Sequence, residues 1–385
     1  MSFRFNFSDG DENQFSTEAP DNKHMDDASE PCEDGKTGAH NAICEFIPLA
    51  IPPVSSIMVD AIYYNSGRLW KRQMDDVQFQ LAQQDSMDGS NNISSSAVEQ
   101  VIASGSSMTD VIRGVYEGGL KTWECSLDLL GYLAEHGASF ESSAKDLHVL
   151  ELGCGTGLPS LHILKNMPNA RVCMQDYNRD VIELITIPNV LANTALSPDS
   201  ETLGDSMHSS SNTEACEIDI DYRRTKVLFG SNIDETIGRR ELPELTGSET
   251  EEANALLLRS TDIAQRCEFI SGDWANIEAT MRSQGREHTF NLILTSETIY
   301  DTASYESLHG LLACLLARPS CSSSTDQRSE PAVLVAAKSI YFGLSGSVLT
   351  FVQYVQRCDI FNIESVWQSR SSMGREILRM TWKDK

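Results

Sequence analysis

An α/β fold follows from three features of the sequence. Short apolar runs alternate with amphipathic stretches from residue 111 onward, a glycine-rich loop follows the first run, and two apolar runs close the chain with only a Ser/Gly turn between them. The alternation predicts a mostly parallel sheet covered by helices on both faces. The closing pair predicts a C-terminal antiparallel hairpin. Buried strands are expected over 147–152 (LHVLEL), 170–175 (ARVCMQ), 265–270 (QRCEFI), 290–295 (FNLILT) and 332–337 (AVLVAA), and the hairpin over 361–367 and 376–382. Helices are expected over 158–166, 179–186, 302–317 and 347–357, with a further apolar helix at 127–133 upstream.

Residues 108–385 read as one domain, interrupted by an acidic, Ser/Thr-rich insertion over about 197–262 and a smaller one over 318–330. The larger insertion is expected to be disordered and the acidic, low-complexity extension 1–107 partly so, because they carry too little apolar surface to offset ordering entropy. Within the extension, residues 44–82 are apolar enough to be ordered against the domain, and 86–107 read as a polar linker. The formal net charge is -26. Residues 1–45 hold 11 acidic against 3 basic side chains and 197–262 hold 15 against 6, so most of the excess lies in these two tracts. Such a balance disfavours direct nucleic-acid binding and is compatible with a basic protein partner. No apolar run approaches the length of a membrane span, and the N-terminus has no apolar signal core. The ten cysteines form no CxxC pair, which predicts neither structural zinc nor a disulfide framework and favours a reducing, cytoplasmic compartment. Nothing suggests a coiled coil, so a monomer is expected.

The loop VLELGCGTG (149–157) carries the strongest chemical signal. Glycine lets the backbone turn sharply and approach a ligand closely, and the helix that follows adds a positive end. A dinucleotide loop needs G-x-G-x-x-G, whereas the spacing here is G-x-G-x-G and the third position is Leu158. Glu151 just before Gly153 and Gly155 disfavours pyrophosphate and suits the cationic groups of S-adenosylmethionine (SAM). A purely structural turn is the alternative. Asp176, after Gln175 at the end of the second strand, can accept both hydroxyls of an adenosine ribose or cap the next helix. Gly272, Asp273 and Trp274 end the third strand, where an acid and an aromatic can hold adenine or form an ordinary loop and core Trp. Ser296, Glu297 and Tyr300 end the fourth strand and are candidate groups on the substrate side, with helix capping as the alternative for Glu297. The upstream run GVYEGGLKTWECS (114–126) is ambiguous when read alone.

Taken together, GVYEGGLKTWECSLDLL, LELGCGTGL, QDYN, PNVLAN, SGDW, LILTSETIY and KSIYFG resemble, in that order, the protein-histidine N-methyltransferases. MSFRFNF is similar to the start of that family. These are Rossmann-like, seven-stranded class I SAM-dependent methyltransferases that act on a histidine of a large-subunit ribosomal protein. The resemblance covers about 110–382 apart from the insertion. It implies cofactor contacts at Thr122, Trp123, Glu124, Cys125, Ser126, Gly153, Gln175, Asp176, Tyr177, Gly272, Asp273, Trp274 and Ser296, no metal, and a product methylated on the tele nitrogen. Glu151 stands where relatives often have Asp. Some members carry a basic nuclear-import cluster; here Arg223, Arg224 and Lys226 are the nearest approach to one, so a nuclear location has weak support beside the cytoplasmic one. The TSETIY run also fits the E-x-x-Y pattern of related lysine methyltransferases. A non-catalytic SAM-binding escort for a basic ribosomal protein is the reading from another class.

Neutral imidazole already offers a lone pair at pH 7, whereas lysine does not. A histidine methyltransferase therefore needs a tautomer choice more than a strong base. Glu297 is the first candidate to accept the proton on the other ring nitrogen, with Tyr300 and Tyr341 shaping the site.

Overall fold

The computed structural model describes residues 42–52, 54–65, 67–88, 116, 118–137, 140, 147–197, 215–220, 262–319, 330–370 and 374–384. Residues 89–107 of the expected polar linker, most of the acidic insertion and most of the N-terminal extension lie outside them, as do Arg223, Arg224 and Lys226; the linker's first three residues, 86–88, instead end a helix that begins at Met74.

Five parallel strands form the centre of the domain. They are β4 (Leu147–Leu152), β5 (Ala170–Asp176), β7 (Cys267–Ser271), β8 (Leu292–Ser296) and β9 (Ala332–Lys338). Side chains of β4 alternate between two cores. Leu147 and Val149 join the cluster under α2 (Glu124–His136) and α3 (Leu158–Asn166), while Leu150 and Leu152 join the one under α5 (Trp274–Ser283), α6 (Tyr305–Leu315) and α7 (Val348–Cys358). The same two-residue period sends Leu334 and Ala336 of β9 to the first core and Val333, Val335 and Ala337 to the second. Burial on both faces explains why these strands read as continuous apolar runs.

The full sheet runs β1-β7-β5-β4-β8-β9-β11-β10. Strand β11 (Arg375–Trp382) inserts antiparallel between β9 and β10 (Phe361–Gln368), so the expected C-terminal hairpin is present. The sheet has eight strands where seven were expected. The extra one is β1 (Glu45–Ile47), which pairs antiparallel with the outer edge of β7 and supplies edge hydrogen bonds that would otherwise go to water.

A second sheet has the order β3-β2-β6 and is wholly antiparallel. Strands β2 (Ser56–Tyr64) and β3 (Gly67–Arg72) form a hairpin. Their partner β6 (Ala215–Asp219) comes from inside the acidic insertion, so the expected disorder does not extend to these five residues. Their sequence, ACEID, places Ile218 in an apolar cluster with Ile57, Val59 and Trp70. Helix α1 (Met74–Asp88) follows the hairpin.

Helix α4 joins the two sheets. It runs Arg179–Val181, then a π segment Ile182–Thr186, then Ile187–Asn193. The expected helix over 179–186 therefore continues past Pro188. Proline has no N–H for the carbonyl four residues earlier. Here the Leu184 carbonyl instead accepts from the buried Arg72 guanidinium at 3.0 Å, and the π turn absorbs the altered register. Two asparagines of the PNVLAN run then dress the outer edge of β3. Asn193 accepts from the Trp70 N–H at 2.8 Å and donates to the Trp70 carbonyl at 2.6 Å. Asn189 accepts from the Arg72 N–H at 2.7 Å and donates to the Thr156 carbonyl in the glycine loop at 2.9 Å. Among the described residues no helix is long and apolar enough to cross a membrane.

Candidate active site

The carboxyl ends of β4, β5 and β7 meet at the glycine loop. Gly153, Gly155 and Gly157 have φ of +61°, +49° and +70°, a region that side chains other than glycine rarely adopt. A Cβ on Gly155 would stand 3.0 Å from the carbonyl oxygen of Gly119. One on Gly119 would meet Val181 at 2.6 Å and an Asp176 carboxylate oxygen at 3.1 Å. The backbone at Gly119 thus packs onto the loop, which explains the glycine there.

Asp176 is buried at the end of β5. Its Oδ2 accepts the Gly155 N–H at 2.9 Å and its Oδ1 the Asn178 N–H at 3.2 Å. Gln175 ties three strand ends together. Its Oε1 accepts from the Gly153 N–H at 3.3 Å and from Trp274 Nε1 at 3.2 Å, and its Nε2 donates to the Gly272 carbonyl at 3.0 Å. Gly272 donates its own N–H to the Asp176 carbonyl at 3.1 Å. Tyr177 is half-buried one residue beyond. These residues form a single cradle.

Two sequence candidates are engaged elsewhere. Asp273 is the N-cap of α5, with its carboxylate accepting the Asn276 N–H at 2.9 Å and the Asn276 side-chain amide at 3.0 Å. Glu151 shares strand parity with Val149, so it points beneath α3. There its Oε2 accepts the Ser160 N–H in the helix's first turn at 3.0 Å, while Oε1 is buried with no hydrogen-bond partner. Burial and the nearby Asp176 charge raise its pKa, against the Ser160 hydrogen bonds, to about 7.

A second cluster faces this cradle across the start of α2. Thr122 reaches Thr156 of the glycine loop, hydroxyl to hydroxyl, at 3.4 Å. The Trp123 indole N–H donates to the Gly118 carbonyl at 3.0 Å. Cys125 and Ser126 are buried, and the Ser126 hydroxyl has no hydrogen-bond partner. Glu297, one residue past Ser296 and the end of β8, has φ of +59°. A left-handed Glu costs on the order of 1–2 kcal/mol, and such outliers gather at functional sites. Both of its carboxylate oxygens are buried and make no hydrogen bond of ordinary geometry, with the Cys125 thiol and the Tyr341 hydroxyl as donors beside them. Its ion-pair partner is Lys338, with Nζ 3.5 Å from Oε1; the same ammonium lies 3.1 Å from Glu124 Oε2. The Tyr341 and Tyr300 rings meet edge to face at 6.4 Å. Burial, reinforced by the Glu297 charge, pushes the Cys125 thiol and the Tyr341 hydroxyl up, so both stay protonated. Burial opposes the charge on Lys338, but Glu297 and Glu124 more than offset it and raise its pKa. No group of three or more His, Cys, Asp or Glu among the described residues could hold a metal.

Sequence reasoning did not single out Lys338. The available signal was its position, a lone charge ending the apolar run AVLVAAK at the carboxyl edge where ligands bind in such sheets.

The parallel sheet, the G-x-G-x-G cradle and the acid closing the second strand define a Rossmann-like domain, and the family described as lysine methyltransferase matches residues 113–203. "Histidine protein methyltransferase 1" of Schizosaccharomyces pombe is 30% identical over 315 residues, covering 80% of this chain and 75% of that protein. "Histidine protein methyltransferase 1 homolog" of Rattus norvegicus is 33% identical over 282 residues, or 72% of this chain. The match spans 60% of the rat protein's length. Among solved structures, the N-methyltransferase NodS of Bradyrhizobium japonicum, in complex with S-adenosylhomocysteine, is 11% identical with a TM-score of 0.35, covering 69% of this chain and 91% of that one. This chain belongs to the histidine protein methyltransferase 1 family.

Proposed function

We propose that this protein methylates the tele nitrogen of a histidine in a basic protein of the large ribosomal subunit, using SAM. The carrying observation is Glu297, a strained, buried carboxylate paired with Lys338 at the same sheet edge as the glycine cradle. The residues fit the cofactor: the Ser126 hydroxyl is buried with nothing to bond, and the buried Asp176 closes the second strand beside three left-handed glycines. Gly153, Gly155, Asp176 and Trp274 would hold it from the strand ends, and Thr122, Trp123 and Ser126 from α2. When bound it supplies an electrophilic methyl group on a sulfonium.

The protein's own groups choose the nitrogen. At neutral pH most of a substrate imidazole is uncharged, with one N–H and one lone pair. The Glu297 carboxylate can only accept, so it binds the pros N–H and leaves the tele lone pair free. As the ring gains a methyl it becomes cationic, and the same carboxylate stabilises that charge and receives the pros proton. Tyr341 and Cys125, held protonated, cannot compete for it. Holding the ring in line can account for about 7–11 kcal/mol of barrier lowering.

The test is transfer of labelled methyl to large-subunit ribosomal proteins, followed by acid hydrolysis and amino-acid analysis. Tele-methylhistidine is expected; pros-methylhistidine overturns the tautomer argument. Methyllysine would establish the second reading, which the lysine methyltransferase description of the matching family favours. Glu297→Gln is expected to slow transfer about 10²–10⁴-fold; wild-type rate with unchanged regiochemistry removes Glu297 from its role.

A further inference from the structure

We propose that Lys338 is the positioning residue that keeps Glu297 ionised, and that this charge selects which imidazole nitrogen is methylated. The inference rests on the reading of Glu297 as the proton acceptor.

A buried carboxylate is costly as an anion unless a cation or hydrogen-bond donors compensate it. Glu297 is held by four elements. Cys125 and Glu124 face it from α2, Lys338 from β9, and Tyr341 from the loop after β9; its own segment adds Ser296 and Tyr300. The Asp128–Arg375 pair lies behind α2 and β11, with one contact at 3.2 Å. Among these groups Lys338 is the cation paired with Glu297.

The two distances of Lys338 differ in a way that suits this task. Its ammonium is 3.1 Å from Glu124 Oε2, a hydrogen-bonding distance, and 3.5 Å from Glu297 Oε1, an ion pair without a hydrogen bond. The charge of Glu297 is compensated without the ammonium taking a hydrogen-bonding position on the carboxylate. The Glu124 side chain is 59% exposed and that of Glu297 is 6% exposed, so Glu124 anchors the ammonium from the solvent side. Trp123 closes over it, with its ring 5.1 Å from Nζ. The main-chain N–H of Lys338 donates to the Tyr341 hydroxyl at 3.3 Å, which fixes that aromatic to the same strand end.

The charge decides the tautomer because protonation reverses the hydrogen bond. An ionised Glu297 accepts from the pros N–H and exposes the tele lone pair. A protonated Glu297 donates to the pros nitrogen, which leaves the proton on the tele nitrogen and blocks it.

The experiment titrates the Glu297 carboxyl directly in the full chain, with neither cofactor nor substrate present. Glutamate labelled with ¹³C at the carboxyl is observed by NMR, and Glu297→Gln assigns the signal. Lys338→Met is expected to raise the titration midpoint by one pH unit or more, and Lys338→Arg to restore it. Below its raised midpoint, Lys338→Met should lose tele selectivity at least tenfold, with the tele product recovering at higher pH. An unmoved midpoint in folded Lys338→Met overturns the proposal, as does a moved midpoint with an unmoved ratio of tele- to pros-methylhistidine. If Lys338→Met does not fold, Lys338→Gln, which keeps polarity but not the charge, should raise the Glu297 midpoint likewise, and an unmoved midpoint overturns the proposal. A midpoint that moves as expected in a protein that yields methyllysine keeps the Lys338–Glu297 coupling and overturns the histidine reading instead.

Discussion

Replacing Asn189 by Ala removes two hydrogen bonds that join parts of the chain far apart in sequence. Its side chain is fully buried. It accepts the Arg72 N–H at the edge of β3 and donates to the Thr156 carbonyl in the glycine loop, at 2.7 and 2.9 Å. Arg72 and Thr156 are themselves buried, so water does not replace the lost partner. Each orphaned buried group costs about 1–3 kcal/mol, and the pair about 2–6 kcal/mol. This is a large share of the 5–15 kcal/mol that stabilises a typical domain. Urea unfolding followed by tryptophan fluorescence measures it as a lower midpoint at constant slope. Asn189→Asp should be at least as harmful, because it keeps the acceptor for Arg72 but turns a second acceptor toward the Thr156 carbonyl and buries a charge. A loss under about 0.5 kcal/mol for Asn189→Ala would refute the idea that these bonds clamp the N-terminal sheet to the cofactor loop. Because Thr156 belongs to that loop, the same variant should bind S-adenosylhomocysteine more weakly in calorimetry even where it remains folded.

Two further outcomes follow from the site. Gly155→Ala places a methyl group 3.0 Å from the Gly119 carbonyl at a φ of +49°, so cofactor affinity should fall at least about tenfold, with the circular dichroism spectrum retained; wild-type affinity in calorimetry would contradict the cradle. Glu151→Gln tests the buried carboxyl under α3: its pKa is raised from 4.5 to about 7, so the folded state holds the proton more tightly than the unfolded chain. Its stabilising contribution is complete below about pH 4.5 and is lost as pH rises to about 7. The variant's stability relative to wild type should therefore improve by about 1–3 kcal/mol between pH 4 and pH 8, and a difference independent of pH in paired urea titrations would show that Glu151 does not ionise in that window.

The three alternating glycines, Asp176 at the end of β5 and the apolar runs were legible because each depends on local chemistry. A backbone that must turn left-handed selects glycine, and a strand covered on both faces selects Val, Ile and Leu whatever its neighbours. The two-residue period even contained the orientation of Glu151, since it shares parity with Leu147 and Val149, which face α3. The helix over 179–193 was harder to read. Pro188 signals an end, and only the Arg72 guanidinium, arriving from more than a hundred residues earlier, satisfies the carbonyl that proline leaves bare.

Local pattern alone determined that this chain builds a parallel sheet with a cofactor cradle at its carboxyl edge. Tertiary structure decided which groups share that edge. Lys338, Glu124 and Glu297 come from β9, α2 and the end of β8, and nothing in the spacing of those segments sets a distance of 3.1 or 3.5 Å. The pairing of β6 with β2, and of Asn189 and Asn193 with β3, likewise unites segments whose own sequences carry no mark of their partner. The physical reason is one of range. Burial periodicity and backbone preference act over a few residues, whereas a charge pair or an edge-strand hydrogen bond depends on where the whole topology brings two distant segments to rest.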